Sequence, residues 1–131
     1  ESRFASLPYA AEKLSRALAG LLDRQIRGSH CFLLAENSQA RVIGGFIGGM
    51  ESYFFTSAKS ANSILIWVAP DYRGSAAALR LIGAFREWAK SNGATEVCML
   101  VSSGVAIGRT DRFLKRLGFK QTGGNYSISL K

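Results

Sequence analysis

Cysteine, histidine and proline are scarce in this sequence of 131 residues, which contains two cysteines, one histidine and two prolines. One histidine and two distant cysteines give no support to a zinc site or a histidine-dependent catalytic triad. Because Cys31 and Cys98 each lie in an apolar stretch, we expect two reduced core thiols in a cytoplasmic protein. A chain of this length can bury a sizeable core without disulfides or metals.

Long apolar runs and acidic residues are also few. No run approaches the roughly 18–20 apolar residues of a membrane span, and residues 1–8 hold no apolar secretion core, so we expect no span and no signal peptide. The 17 Lys and Arg residues outnumber the 9 Asp and Glu residues, which gives a net charge of +8. Such an excess attracts anions without identifying them, so nucleic acid, an anionic membrane and a phosphorylated cofactor are all compatible with it.

Hydrophobic periodicity and turn residues predict one α+β domain over residues 1–131. Residues 63–69 form an apolar run that is typical of a buried central strand, and residues 75–91 carry the clearest helical stripe. Together with a strand at 96–101 they form a βαβ unit whose strands are expected to be parallel. The other predicted elements are a helix over 8–27, a hairpin of 31–35 and 41–55, a polar loop over 56–62, a helix over 110–117 and a closing hairpin of 119–122 and 126–130.

The segment that ends the central strand is the most informative part of the chain. It reads V-A-P-D-Y-R-G-S-A-A-A over residues 68–78, so a strand leads through a turn of small residues into a helix. The first turn of a helix presents unpaired N–H groups and the positive end of the dipole, which together bind phosphate. Arg73 stands at the mouth of the turn, and Ser75 is placed to cap the helix. No P-loop or dinucleotide fingerprint is present, and the segment alone is equally compatible with a purely structural turn.

This segment resembles the signature of the GNAT superfamily of acyl-CoA-dependent N-acyltransferases, [RQ]-x-x-G-x-[GA], which often reads V-x-P-x-Y-R-G before the glycine-rich turn. The similarity continues to R-L-G-F at 116–119 and G-G-N-Y at 123–126, and it covers roughly residues 64–130. It implies a mixed, mostly antiparallel central sheet with one parallel βαβ pair splayed at a cofactor cleft. The resemblance also implies a first strand before the helix at residue 8, and we expect that strand to be missing here. The sequences of these motifs are most similar to those of small GNAT proteins of phages and prophages.

Two parts of the sequence depart from the family pattern. Ala76 stands where the family has the central glycine of its signature, close to the expected phosphate. The family often has N-x-x-A-x-x-[LF]-Y-x-x-x-G-F, in which the tyrosine protonates the departing thiolate, and that position is Leu114 here. The asparagine and alanine positions of the same motif are Ile107 and Thr110. The usual general acid is therefore absent, and another group must serve.

The resemblance also implies which residues bind acetyl-CoA as a co-substrate, without a metal. Residues 66–68 would face the pantetheine, and the Val68 N–H would stabilise the oxyanion. The amides of residues 74–78 would hold the pyrophosphate, with added charge from Arg73. One or two arginines of the 110–117 region would bind the adenosine 3′-phosphate, the alternative being a solvated basic face. The implied cofactor-binding residues are Ile66, Trp67, Val68, Arg73, Gly74, Ser75, Ala76, Ala77, Ala78, Arg109 and Arg112.

Direct transfer in a ternary complex, the family's usual route, requires a base for the amine and an acid for the thiolate. Glu51, at the end of a glycine-rich strand, is the candidate base, and an exposed strand-end carboxylate is the alternative interpretation. Tyr126 is the candidate acid, and a hairpin core aromatic is the alternative. His30 is interpreted as a surface or capping residue, and Cys98 has no partner base for a nucleophilic role.

The sequence therefore predicts an acetyltransferase that moves an acetyl group from acetyl-CoA to a primary amine. A GNAT fold without turnover, acting as a binding or regulatory module, is the first alternative, and Ala76 and Leu114 favour it. A basic nucleic-acid-binding domain is the second, although zinc-finger spacing is lacking and the aromatic residues fall mostly in core-like positions. The acceptor amine is not identified, no membrane partner is expected, and a homodimer is left open.

Overall fold

The computed structural model describes residues 5, 7–26 and 28–130. Its elements, in chain order, are α1 (Ala11–Ile26), β1 (His30–Glu36), β2 (Val42–Ser52), β3 (Lys59–Val68), a 3-10 turn (Pro70–Tyr72), α2 (Ala77–Ser91), β4 (Ala94–Cys98) and α3 (Ile107–Arg116). The chain divides into two compact units, one of residues 10–100 and one of residues 101–131 with residues 1–9. Each unit is described by itself, and the single domain stays a prediction.

The first unit contains a four-stranded sheet in the order β1-β2-β3-β4. The first three strands are antiparallel to one another, and β4 joins β3 in parallel after the crossover through α2. Parallel neighbours require such a crossover, and the apolar stripe of α2 provides a helix that can cover the sheet. The predicted α+β class, with a mixed and mostly antiparallel sheet, is confirmed.

The core of this unit lies between α2 and the sheet. Phe46 of β2 and Phe85 of α2 are almost fully buried, with ring centroids 4.5 Å apart. A Cβ atom at Gly48 would overlap the Phe85 ring, so the glycine leaves the space that the ring fills. The helix ends at Asn92, followed by Gly93 with a φ of +81°, a conformation that glycine adopts without strain. This packing fixes the position of the turn that precedes α2.

Strand β3 differs from the prediction at both ends. It begins at Lys59, so residues 60–62, predicted in a loop, belong to the strand because they pair with β2 on one side and β4 on the other. The predicted burial of the following run is wrong, since Ile64 is 57% exposed and Trp67 is 45% exposed. Within this unit, only β2 flanks that half of β3.

The second unit contains α3, which ends before Gly118 with a φ of +94°. The predicted closing hairpin is wrong, because residues 119–130 contain no strand. The side chain of Asn125 instead donates a hydrogen bond to the Val101 carbonyl (3.0 Å), and Tyr126 and Leu130 are almost fully exposed. A two-stranded hairpin with no covered apolar face is marginally stable, which accounts for the difference.

Candidate active site

The sheet opens where β3 and β4 separate. Their parallel pairing ends at Asn62 and Cys98, whereas β3 continues to Val68 in contact with β2. The residues from 63 to 68 therefore form one wall of a gap whose other strand has diverged. The predicted splay is present, and it lies at the carboxyl ends of two parallel strands, where α/β sheets bind their ligands.

Backbone groups of β3 point into this gap. The Ala69 N–H donates to the Ile43 carbonyl (2.8 Å), and Val68 is opposite Gly44 in the register. Hydrogen-bonded and non-hydrogen-bonded pairs alternate along antiparallel strands, so the polar groups of Val68 and Ile66 are directed away from β2. These are two of the residues expected to contact the pantetheine, and both of their N–H groups and the Ile66 carbonyl are available to an extended amide-bearing ligand.

Arg73 marks the end of the open edge. Its Nε donates a hydrogen bond to the Val68 carbonyl at 3.4 Å, and the side chain is exposed. The bond spans the turn between β3 and α2. It therefore holds the positive charge of Arg73 at the mouth of that turn, which is the position predicted from the sequence. An anion bound at this turn would lie beside a guanidinium group.

The turn itself presents unpaired amides. Gly74 has a φ of +86°, a left-handed conformation that favours glycine. The Ser75 hydroxyl accepts from the Ala77 N–H (3.3 Å), although the N-cap position of α2 is Ala76 and not Ser75. Among the described residues, the amides of Gly74, Ala76 and Ala78 have no acceptor. Unpaired amides at the positive end of a helix dipole are the arrangement that binds anions in other proteins.

A hydrogen bond that the sequence did not suggest anchors this turn. The Asn37 side chain donates to the Tyr72 hydroxyl at 2.9 Å. Asn37 follows β1, and its own Oδ1 also accepts from the amides of Gln39 and Arg41. The β1–β2 turn therefore holds the 3-10 turn that leads to Arg73, and no local pattern in either segment signals the contact.

Glu51 belongs to a polar cluster on the sheet beside the gap. Its Oε2 accepts from Asn62 Nδ2 (3.0 Å), and Asn62 Oδ1 accepts from the Ser60 hydroxyl (3.0 Å). Ser60 Oγ lies 3.5 Å from Cys98 Sγ. Glu51 is exposed, but its carboxylate is oriented by Asn62, one residue from the point where β4 diverges. Ser60 and Asn62 were not predicted as site residues because they fall in the predicted polar loop, although their spacing of two suits a strand.

Tyr53 and Glu96 extend this polar surface. The Tyr53 hydroxyl donates to Glu96 Oε1 at 2.7 Å, and this bond to the carboxylate raises the pKa of Tyr53. Glu51 and Glu96 are each the register partner of Ser60, so the three residues form a row across three strands. Paired residues share a face of the sheet, so both carboxylates lie on the same face as Ser60.

His30 lies over Gly49 rather than free on the surface. A Cβ at Gly49 would be 3.1 Å from the His30 Nε2 atom, and Nδ1 is 3.1 Å from the Ser29 hydroxyl. The register joins His30 to Gly49 and Gly49 to Asn62, which places the imidazole on the face of the Glu51 cluster. Within the described residues, no group of three or more His, Cys, Asp or Glu side chains could hold a metal ion.

The remaining predicted site residues lie in the second unit. Arg109 and Arg112 belong to α3, where Asp111 forms an ion pair with Lys115 (2.9 Å). Tyr126 is 97% exposed, so its interpretation as a hairpin core aromatic is wrong. The roles of these residues at the cofactor stay predictions. No helix in the described part of the chain is both long and apolar enough to cross a membrane.

Comparison with known families identifies this arrangement. The sequence model of the acetyltransferase (GNAT) family matches residues 3–119. The chain belongs to the GNAT family. It is accordingly an N-acetyltransferase, from a family whose enzymes use acetyl-CoA and an amine acceptor. The open β3 edge and the unpaired amides before α2 fit the pantetheine and pyrophosphate portions of that co-substrate.

Solved structures of this GNAT enzyme's relatives share its fold. AAC(6')-Iy, in complex with the bisubstrate analogue CoA-S-monomethyl-acetylneamine, aligns with a TM-score of 0.77 at 18% identity over 99% of this chain and 87% of that chain. Glucosamine-6-phosphate N-acetyltransferase from Arabidopsis thaliana aligns at 0.74 and 16% identity, over 97% and 83%. Aminoglycoside 6'-N-acetyltransferase AAC(6')-Ih from Acinetobacter baumannii aligns at 0.73 and 20%, over 98% and 86%. No curated protein sequence matches the chain.

Proposed function

We propose that this GNAT enzyme transfers an acetyl group from acetyl-CoA to a primary amine by direct attack in a ternary complex. The observation that carries the proposal is the continuity of two binding elements. The open edge of β3, which ends at Val68, leads within a few residues to the amides of Gly74, Ala76 and Ala78. An extended chain that ends in a pyrophosphate matches this order of backbone edge and anion site, and acetyl-CoA supplies such a chain with an activated thioester.

The first unit supplies most of the proposed contacts to the co-substrate. Ile66 and Trp67 line the gap, and the Val68 N–H donates to the thioester oxygen as negative charge develops there. The amides of residues 74–78 that lack acceptors bind the pyrophosphate, and Arg73 adds charge at its end. Arg109 and Arg112 are proposed to bind the adenosine 3′-phosphate.

Glu51 is proposed to accept the proton of the attacking amine. Asn62 holds one carboxylate oxygen at 3.0 Å, so the other oxygen can face the substrate. The amine nitrogen forms the bond to the acetyl carbon, the carbon–sulfur bond breaks, and the departing thiolate takes a proton. Tyr126 stays the proposed donor of that proton, since Leu114 cannot supply one.

The first test is calorimetric titration with acetyl-CoA, with desulfo-CoA and ATP as controls. We expect micromolar binding of acetyl-CoA and desulfo-CoA, because both carry the pantetheine and the pyrophosphate, and much weaker binding of ATP. A panel of primary amines then reports turnover through release of CoA thiol. Failure of acetyl-CoA and desulfo-CoA to bind would contradict the proposed cleft.

The second candidate function is a binding or regulatory module with a GNAT fold and no turnover. It is favoured by Leu114 at the family's usual acid position and by Ala76 at the position of the usual glycine. A binding module would bind desulfo-CoA yet release no CoA with any amine of the panel. A nucleic-acid-binding domain would instead bind DNA or RNA with steep salt dependence and ignore acetyl-CoA. A cytoplasmic location, a homodimer and a phage-type origin stay predictions of the sequence.

A further inference from the structure

The point where β3 and β4 separate is occupied by a buried side-chain hydroxyl. Ser63 is 4% exposed, and its Oγ accepts a hydrogen bond from the Leu100 N–H at 2.8 Å. Ser63 is the first β3 residue beyond the last parallel pair, formed by Asn62 and Cys98. A side chain therefore receives the backbone of the strand that is leaving the sheet.

This bond replaces a bond of the ladder. Continuing the register by two residues would bring Leu100 opposite Ile64, where its amide would donate to a backbone carbonyl of β3. Donation to Ser63 Oγ satisfies the same amide while keeping the two backbones one side chain apart. An amide that lacked both acceptors would carry the cost of a desolvated donor.

A bulge at the same level of β3 reinforces the separation. The register with β2 shifts between Ile47 and Gly48, so Ile64 is an extra residue on the β3 side. Bulges redirect the strand and the groups beyond them. The hydroxyl of Ser63 thus acts from the β4 side, while the bulge acts from the β2 side.

We propose that Ser63 is a positioning residue for the acetyl-CoA cleft, because its hydrogen bond with Leu100 keeps the segment that follows β4 off the edge at Ile66 and Val68. The inference rests on the proposed function, since that edge is where the pantetheine is placed. Ser63 contacts the backbone of Leu100, just beyond β4, and not the reacting atoms. Its removal should change co-substrate affinity far more than the chemical step.

The test uses the full chain with Ser63→Ala, Ser63→Thr and Ser60→Ala. Ser60 provides a matched control because it is also 4% exposed on β3, yet its hydroxyl contacts the side chains of Asn62 and Cys98 rather than the backbone beyond β4. We expect Ser63→Ala to raise the Kd of desulfo-CoA by about tenfold, because the Leu100 N–H loses its acceptor and the free energy of one hydrogen bond no longer holds the cleft open. Ser63→Thr keeps the oxygen and should restore the affinity, and Ser60→Ala should keep the wild-type Kd.

Two further measurements separate a positioning role from general destabilisation. The KM for acetyl-CoA should rise in Ser63→Ala while kcat stays within about twofold of the wild type. Amide hydrogen exchange at Leu100 should accelerate in Ser63→Ala and stay slow in Ser60→Ala. A wild-type Kd in Ser63→Ala, or equal losses in the two alanine variants, would overturn the proposal.

Failure of the proposed function would be recognised separately. If the wild-type chain does not bind desulfo-CoA, the cleft assignment is wrong whatever the variants do. The exchange of the Leu100 amide then decides whether Ser63 separates the strands. Unchanged exchange at Leu100 in Ser63→Ala would sink that role as well.

Discussion

The two halves of β3 reverse the usual relation between polarity and burial. Residues 60–62 are mostly polar, yet Ser60 is 4% exposed and Ala61 is fully buried. Residues 64–67 are apolar, yet each of them is at least 38% exposed. The first half, which we call the closed half, is paired on both sides. The second half, the open half, is paired only with β2 in its unit. Neighbouring strands therefore decide burial here, and an exposed apolar run beside unpaired backbone marks a ligand surface.

The largest expected effect comes from the turn beyond the open half. Ala76→Glu places a carboxylate at the amides assigned to the pyrophosphate, so charge repulsion should raise the Kd of acetyl-CoA more than about 100-fold. Ala84→Glu, at an exposed position of the same helix, is the matched control and should bind normally. Calorimetry on both folded variants checks this, and unchanged affinity in Ala76→Glu would remove the turn from the site.

The next effect comes from the closed half and its polar partners. Glu51→Gln removes the proposed base, so kcat should fall by about 100-fold while the Kd of acetyl-CoA stays unchanged. Glu36→Gln serves as the control, because Glu36 is another exposed carboxylate at a strand end. Steady-state assays of CoA release measure the effect, and equal turnover in the two variants would exclude Glu51 from the mechanism.

Two single substitutions, one in each half of β3, test the reversed relation between polarity and burial directly. Trp67→Thr, in the open half, should cost less than about 1 kcal/mol of unfolding free energy because the residue is half exposed, and should raise the Kd of desulfo-CoA about tenfold through lost contact area. Ala61→Val, in the closed half, should cost about 1–3 kcal/mol by overpacking and leave the Kd unchanged. Urea unfolding and calorimetry on both variants provide the measurements, and the opposite pattern would break the comparison.

The smallest effect concerns the two thiols. Burial raises the pKa of Cys31 to about 11, whereas the half-buried Cys98 lies beside the closed half of β3. Cys31 should resist iodoacetamide in the folded protein near pH 8, because the thiolate is the reactive form. Mass spectrometry of the labelled protein checks this, and rapid labelling of Cys31 under native conditions would contradict its burial.

The raised pKa of Cys31 also determines how the free energy of unfolding changes with pH. The pKa of Cys31 is raised above its ordinary value of 9.0, so its contribution to stability is complete below about pH 9. That contribution is lost as the pH rises from 9 towards 11, since the unfolded chain releases this proton first. Urea unfolding at several pH values measures the loss, and Cys31→Ala should flatten the part of the curve that belongs to this thiol.

Local patterns in the sequence were sufficient for several parts of the fold and site. The stripe of α2 and the stop at Asn92 depend on residues a few positions apart, and both were predicted. The small-residue turn before α2 was also predicted, because the geometry at Gly74 and Ser75 follows from side-chain size and backbone freedom. The Glu51–Asn62 and Ser63–Leu100 bonds were not, since each joins residues brought together only by strand register.

The sequence by itself determined the α+β class, the βαβ unit and the glycine turn before α2, because periodicity, glycine and helix termini act over short stretches of chain. The tertiary structure alone decided where β4 leaves β3, which half of β3 is covered and which side chains surround Glu51. It also decided that residues 119–130 form no hairpin. These features depend on which backbone groups find partners from distant segments, and free energies of that kind are not encoded in any single stretch of residues.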